Sequence, residues 1–420
     1  MKTNKLILLF CLVLLLSENA GADPLSHSYF RNVVKQVLDS HPAYQAAHAK
    51  VLITEDQARA AGLPLYNPEI EAEMESAGED TYVLGIAQSI DWHDKQSAKH
   101  FLQQIAVQNA KAEQLLLATT LASQTLNALI DYSMASGISR LHQQRIDLLE
   151  QVVDLAEQRL AAGDINKSEL LLAKISLGNA IIKQANQKMA VIKAKNEIFK
   201  LSPQGIAQAI DNDRTFDGSP PDNITSANVA TLATQHPSEK IALMRVEHAK
   251  QKVQVDQRQR RADPRFGINV GKEGDESLVG LKFSIDWQVR NDFAYAVDMA
   301  RNAQLQKQLE AQNIHRQIVA DIKSAKSQYQ IAQEAWQYWL NNGESQLQQH
   351  VALLKKLWRS GEISTSNYLL QLEQNIHTQI SGASLQGNAW HAWIQWLDAT
   401  GQLLDWLKLT NEFDTKGEPQ

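Results

Sequence analysis

Two hydrophobic periods divide this chain. Pro68-Glu69-Ile70-Glu71-Ala72-Glu73-Met74-Glu75 sets acids on one face and apolar side chains on the other, the period-two pattern of a strand. After a turn around Gly78-Glu79-Asp80, the residues Tyr82, Leu84 and Ile86 keep that period. The pattern returns at Phe266, Ile268 and Val270 and, past a turn over 271–276, at Val279, Leu281, Phe283 and Ile285. It predicts two β-hairpins, with strands at about 68–76, 81–90, 264–271 and 277–287. Elsewhere the period is helical: Leu141, Leu148 and Leu155 recur at seven, a coiled-coil spacing. No proline interrupts the chain between Pro68 and Pro203, or between Pro264 and Pro419. Those spans, rich in Ala, Leu, Gln, Lys and Glu, suit helix. They predict first helices over about 26–62 and 226–262, long helices over 94–162 and 291–360, and return helices over 167–201 and 365–400. At 1.5 Å per residue the long helices reach roughly 100 Å and the others roughly 55 Å, so two short rods stacked end to end match one long rod.

The element order repeats because the chain is duplicated. His41-Pro42 recurs as His236-Pro237, Asn67-Pro68 as Asp263-Pro264, and Asp91-Trp92 as Asp286-Trp287. Gly163-Asp164-Ile165-Asn166-Lys167-Ser168 returns as Gly361-Glu362-Ile363-Ser364-Thr365-Ser366. The offsets are 195, 196, 195 and 198 residues, and that constancy is the mark of a tandem repeat. At the hexapeptides, Gly163 and Gly361 suit the left-handed residue that stops a helix. Asn166 and Ser364 suit the cap of the next one, with Glu169 placed for a capping box.

Residues 1–22 read as a secretory signal: Lys2 and Lys5, an apolar run from Leu6 to Leu16, then Ala20-Gly21-Ala22 as a cleavage site. The sole cysteine, Cys11, lies inside that run, so the mature chain has no disulfide and depends on packing or assembly. After the signal no stretch of 18 apolar residues occurs, which excludes a transmembrane helix from the expectation. A net charge of −6 without a basic tract argues against nucleic acid.

Catalytic and cofactor patterns are absent, and neither cofactor nor metal is expected. The His pairs His93/His100 and His41/His48 stand seven apart without a completing Cys or carboxylate. Trp390, Trp393, Trp396 and Trp406 fall at helical spacing and read as packing between helices. No nucleotide-binding loop is found.

The hairpins have the length of tilted membrane strands, yet half-buried hairpins packed on a helix alternate in the same way. Their place at the ends of long rods, where little could cover them, favours the membrane, and an exported chain without a transmembrane helix crosses a second membrane only as a closed barrel. Four strands cannot close one. Two copies would give eight strands with almost no lumen, and three would give twelve with a pore.

His41-Pro42, Asn67-Pro68-Glu69-Ile70, Gly85-Ile86-Ala87-Gln88-Ser89-Ile90 and Leu155-Ala156-Glu157-Gln158-Arg159-Leu160-Ala161-Ala162-Gly163-Asp164-Ile165 together resemble the TolC-type outer-membrane efflux proteins, in particular the heavy-metal and cation efflux branch. The resemblance covers both repeats, 23–205 and 226–403, with a linker at 206–225 and a tail at 404–420. It implies a mainly α chain with a small β part: long antiparallel helices forming an α-barrel, and two hairpins giving four strands to a trimeric twelve-stranded membrane barrel. It further implies a homotrimer in outer-membrane lipid, a periplasmic membrane-fusion adaptor, and an inner-membrane pump of the RND or ABC type reached through it. Gly163, Asp164, Ile165, Ser168, Gly361, Glu362, Ile363 and Ser364 would form the adaptor-binding tips. Where relatives carry an acidic entrance ring this chain has Asn367 and Leu370, leaving Glu169 and Asn367 as the gate candidates. Glu69, Glu71, Glu73 and Glu75 would line the pore. Where relatives carry a Gly-Gly-Lys-Arg-like sequence after the first hairpin, His93-Asp94-Lys95-Gln96 stands here.

The function expected is a passive conduit of a tripartite efflux system carrying metal cations or drugs. The alternatives are the outer-membrane component of a type I protein secretion system and a periplasmic coiled-coil scaffold whose hairpins pack on its own helices. A hydrolase using the strand glutamates is the weakest, since strict alternation builds a wall rather than a paired acid and base.

Overall fold

The structure, a computed structural model, describes residues 24–76, 78–201, 218–221, 224, 228–288 and 290–410. The expected signal segment with Cys11, most of the linker and residues 411–420 of the tail lie outside the described residues. The elements in order are α1 (Pro24–Ser40), α2 (Pro42–Ala61), β1 (Glu69–Ser76), β2 (Asp80–Ser89), α3 (Lys95–Ala162), α4 (Lys167–Leu201), α5 (Val229–Gln235), α6 (Pro237–Gln259), β3 (Pro264–Glu273), β4 (Glu276–Ile285), α7 (Ala294–Asn342), α8 (Glu344–Arg359), α9 (Thr365–Thr400) and α10 (Leu403–Trp406).

Three expected helices are broken. The first helix of each repeat stops before proline, because the residue preceding proline is driven to extended backbone. His41 (ψ 122°) and His236 (ψ 135°) adopt it, and each imidazole then accepts the N–H two residues on, at 3.2 and 3.1 Å, to cap the helix that restarts. The second long helix is interrupted at Gly343, whereas its counterpart α3 runs 68 residues unbroken.

The rods lie side by side. At the hairpin end the order is α2-α3-α6-α7, and at the far end α4-α3-α9 with α7 and then α8 beyond. Each level therefore has α2 or α4 on one flank and α7 or α8 on the other. Three apolar clusters hold the rods. Val253, Val297 and Ala300 pack near the sheet. The middle is the main core, where α1, α5 and α10 close over α3, α7 and α9. Trp390, Trp393 and Trp396 are buried there, with Phe30 6.2 Å from Trp390 and 6.3 Å from Trp406, so the tryptophans pack as expected. A third cluster, including Leu149, Val152, Tyr368 and Leu372, holds the two hairpin ends together.

Candidate functional site

The four strands form one antiparallel sheet in the order β1-β2-β3-β4. Its register separates two faces. Glu69, Glu71, Glu73 and Glu75 share one face with Gly85, Ala87, Arg265, Gly267, Asn269, Gly271, Gly280 and Lys282. The other face carries Ile70, Met74, Leu84, Ile86, Ile268, Val270, Val279, Leu281, Phe283 and Ile285, all exposed, with Ile70 and Leu281 each 85% accessible. Among the described residues nothing covers this apolar face, and the hairpins do not pack on the described helices. Exposed Trp92 and Trp287 stand just past the helix-proximal ends of β2 and β4.

Ion pairs bridge the polar face from one edge to the other. Neighbouring strands lie roughly 4.8 Å apart, which would separate β1 from β4 by roughly 14 Å in a flat sheet. The long Lys282 and Glu71 side chains span this breadth, with Lys282 Nζ on β4 3.0 Å from Glu71 Oε2 on β1. Small residues lie between them, and larger ones would be crowded: a Cβ on Gly85 would sit 3.1 Å from the Ile268 carbonyl, and one on Gly267 3.2 Å from Ala87 Cβ. Arg265 reaches Glu69 (2.5 Å) and Glu71 across the small residues of β2. Two of the four glutamates are thus ion-paired, a neutralisation that the alternation alone did not reveal.

The joint between sheet and rods was not anticipated. Asp91 accepts the N–H groups of Lys95 and Gln96, both at 2.8 Å, at the start of α3. Lys95 Nζ meets Asp263 Oδ2 at 2.8 Å with side-chain exposures of 9% and 4%, and Tyr66 donates to the same oxygen at 2.6 Å. Burial works to raise the Asp263 carboxyl, but the bonds from Lys95 and Tyr66 and the Lys95 charge outweigh it and hold the pKa below the usual carboxylate value. Burial and the Asp263 bond push the Tyr66 phenol well above its ordinary range. Arg258 holds Asp94 (2.7 Å) and Arg260 holds Asp292 (2.6 Å), clamping both sheet-to-helix turns. The departure at His93-Asp94-Lys95-Gln96 is therefore where this chain builds its joint.

At the opposite end, Gly163 (φ 83°) and Gly361 (φ 79°) are left-handed, and the N–H groups of Asp164 and Glu362 reach back to the carbonyls of Arg159 (2.9 Å) and Leu357 (3.0 Å). Asn166 accepts the Glu169 N–H at 3.1 Å, and Ser364 accepts that of Asn367 at 3.3 Å. Gly163, Asp164, Ser168, Gly361, Glu362, Ser364 and Asn367 are exposed; Ile165, Glu169 and Ile363 are half-buried. The sequence reading missed what ties the two ends. Arg159 donates to the carbonyls of Trp358 (3.0 Å) and Arg359 (2.9 Å), and Trp358 stacks on Tyr368 at 4.7 Å. Higher up, Glu373 on α9 receives Arg145 and, at 2.8 Å, Lys183.

Among solved structures this arrangement has clear counterparts. A membrane protein from Pseudomonas aeruginosa aligns with a TM-score of 0.75 at 14% identity, over 89% of this chain and 90% of that one. CusC, whose structures concern transmembrane channel formation, gives 0.71 at 14%, over 89% and 92%. The outer membrane protein VceC from Vibrio cholerae gives 0.69 at 16%, over 89% and 96%. The chain has the fold of a TolC-type channel protomer. No protein-family profile and no curated protein matches the sequence. Further counterparts, CmeC from Campylobacter jejuni and OprN, are outer-membrane channels.

Proposed function

We propose that this protein is the outer-membrane channel component of a tripartite efflux system, a passive conduit built from three copies. The observation that carries the reading is the uncovered apolar face of a sheet whose edges, β1 and β4, are both unpaired in one copy. Lipid covers such a face, and a further strand covers such an edge. Because α2 leads into β1 and β4 leads into α7, the flank that carries β1 also carries α2 and α4, and the opposite flank carries β4, α7 and α8. Head-to-tail joining of unlike flanks closes a ring, and three copies are the fewest that leave a lumen. The polar face, with Glu69, Glu71, Glu73 and Glu75, then turns inward.

The tips around Gly163 and Gly361 engage the periplasmic adaptor, and through it the pump that supplies the energy. Entry is controlled where Arg159 ties one hairpin end to the other, with Glu169 and Asn367 at the mouth. The cargo class in this reading, metal cations or drugs, is the one implied by the resemblance to the heavy-metal and cation branch. Fractionation of a Gram-negative host that expresses the chain tests the reading. An SDS-resistant trimer in the outer membrane is expected, and recovery solely as a soluble periplasmic monomer overturns it.

A further inference from the structure

Four helices that do not all touch one another share a cavity of about 370 Å³ on the hairpin half of the rods, reached by Lys50 on α2, Glu113 on α3, Arg245 on α6 and Lys307 on α7. In the order α2-α3-α6-α7 the outer two are not neighbours, so a cavity common to all four lies on the concave side of the curved layer. Its size falls within the roughly 300–1,000 Å³ of ordinary small-molecule sites.

The lining is divided in chemistry. The floor is alanine: Ala106, Ala110, Ala249, Ala300 and Ala303. The walls carry four cations, Lys50, Arg245, Lys252 and Lys307, against a single carboxylate, Glu113. That carboxylate is shared, with Lys50 and Arg245 each 2.7 Å away on separate oxygens. Burial alone would raise its pKa, but the two cations hold it below the ordinary value, so it stays ionised. The partners of the other two cations, Asp256 for Lys252 and Glu310 for Lys307 at 2.7 Å, stand outside the cavity lining. His248 also lines the cavity, where burial and the Lys252 charge disfavour its protonation. Among the lining residues cations therefore outnumber carboxylates over an apolar floor, and Thr54 and Asn109 complete the lining with neutral polar groups.

We infer that this cradle binds a small organic anion with an apolar body, a carboxylate or sulfonate whose charge sits between Arg245 and Lys252 and whose hydrocarbon lies on the alanines. The inference rests on the conduit reading only in naming a class of cargo. Binding is measurable on the folded protein apart from membrane targeting and trimer formation, so one can fail while the other stands.

The test is calorimetric titration of the full mature protein in non-ionic detergent solution with 4-bromobenzenesulfonate, and with its neutral isostere 4-bromobenzenesulfonamide. The sulfonate should bind more tightly than the sulfonamide by about tenfold or more, the scale of a charge-assisted contact. The double variant Arg245→Gln with Lys252→Gln should lose about tenfold or more. Glu113→Gln should instead bind the sulfonate several-fold more tightly, since it frees Lys50 and Arg245. This opposite sign separates the site from general damage to the fold. Equal affinity for the two ligands, no binding of the sulfonate, or an unchanged or weakened Glu113→Gln variant overturns the inference.

Discussion

Asp263 is a buried carboxylate facing a buried cation, its side chain 4% exposed and that of Lys95 9%. Removing one member of a buried pair strands the other charge and costs roughly 3–5 kcal/mol. Asp263→Asn should lower stability by about that amount in denaturant titration, and adding Lys95→Met should restore much of the loss, because two well-packed neutral groups replace a lone ion. The acid response follows from the depressed pKa. On acidification the unfolded chain takes up this proton first, near its ordinary value of about 4, while the folded chain resists to lower pH. The contribution is present above about pH 4 and lost as pH falls through the folded pKa. Stability curves of the wild type and of Asp263→Asn should therefore converge below that value; parallel curves down to strong acid would refute the assignment. The helix caps at Asn166 and Ser364 were legible in sequence because a cap and its N–H lie three residues apart. The Lys95–Asp263 pair was not, because nothing local couples residues in different repeats. The one hint was the change from Asn67 to Asp263 at matching positions. Arg265 and Lys282 were hidden likewise, since only the strand order places them on one face with Glu71.

At the scale of elements, strands, hairpin turns and return helices could be read from periodicity and glycine placement. The breaks at His41-Pro42 and His236-Pro237 carried a signal, a repeated X-Pro pair, that the helical composition on either side masked. The break at Gly343 carried a weaker one, for a lone glycine is tolerated in many helices. Its cause is tertiary. Trp339 folds its indole back over Gly343 and against Gly382 of α9, where an added Cβ would sit 2.8 Å from the Trp339 ring nitrogen. Gly382→Ala should therefore cost roughly 1–3 kcal/mol by overpacking, visible as a lowered melting temperature. Gly361→Ala differs in kind. No atom lies within 4 Å of the new methyl group, so the left-handed backbone alone opposes it, at roughly 1–2 kcal/mol. An Asn at 361 should recover part of that loss, which Asn at 382 should not.

At the scale of the whole molecule, the α4 flank is what one chain leaves unfinished. Leu171, Ile175, Gly178, Ile182, Ala185, Met189 and Ile192 follow one another at alternating spacings of four and three, the a/d seam of a coiled coil. All seven are exposed, with Ile182 and Met189 each 61% accessible, while the opposite face buries Ala173, Ala180 and Gln184 against neighbouring helices. An apolar seam this regular on a surface helix marks an interface. In the proposed ring its occupant is the α7–α8 flank of the next copy, which exposes Ile331, Tyr338 and Leu353. Ile182→Asp combined with Met189→Asp should then dissociate the trimer, because each carboxylate would be desolvated against apolar surface in the assembly. The same two residues face water in the single chain, so helix content and the central core should persist. Circular dichroism together with light scattering in detergent separates the cases. A helical monomer or a strongly concentration-dependent trimer is expected. A trimer as stable as the wild type would place the seam outside the interface and require another surface to join the copies.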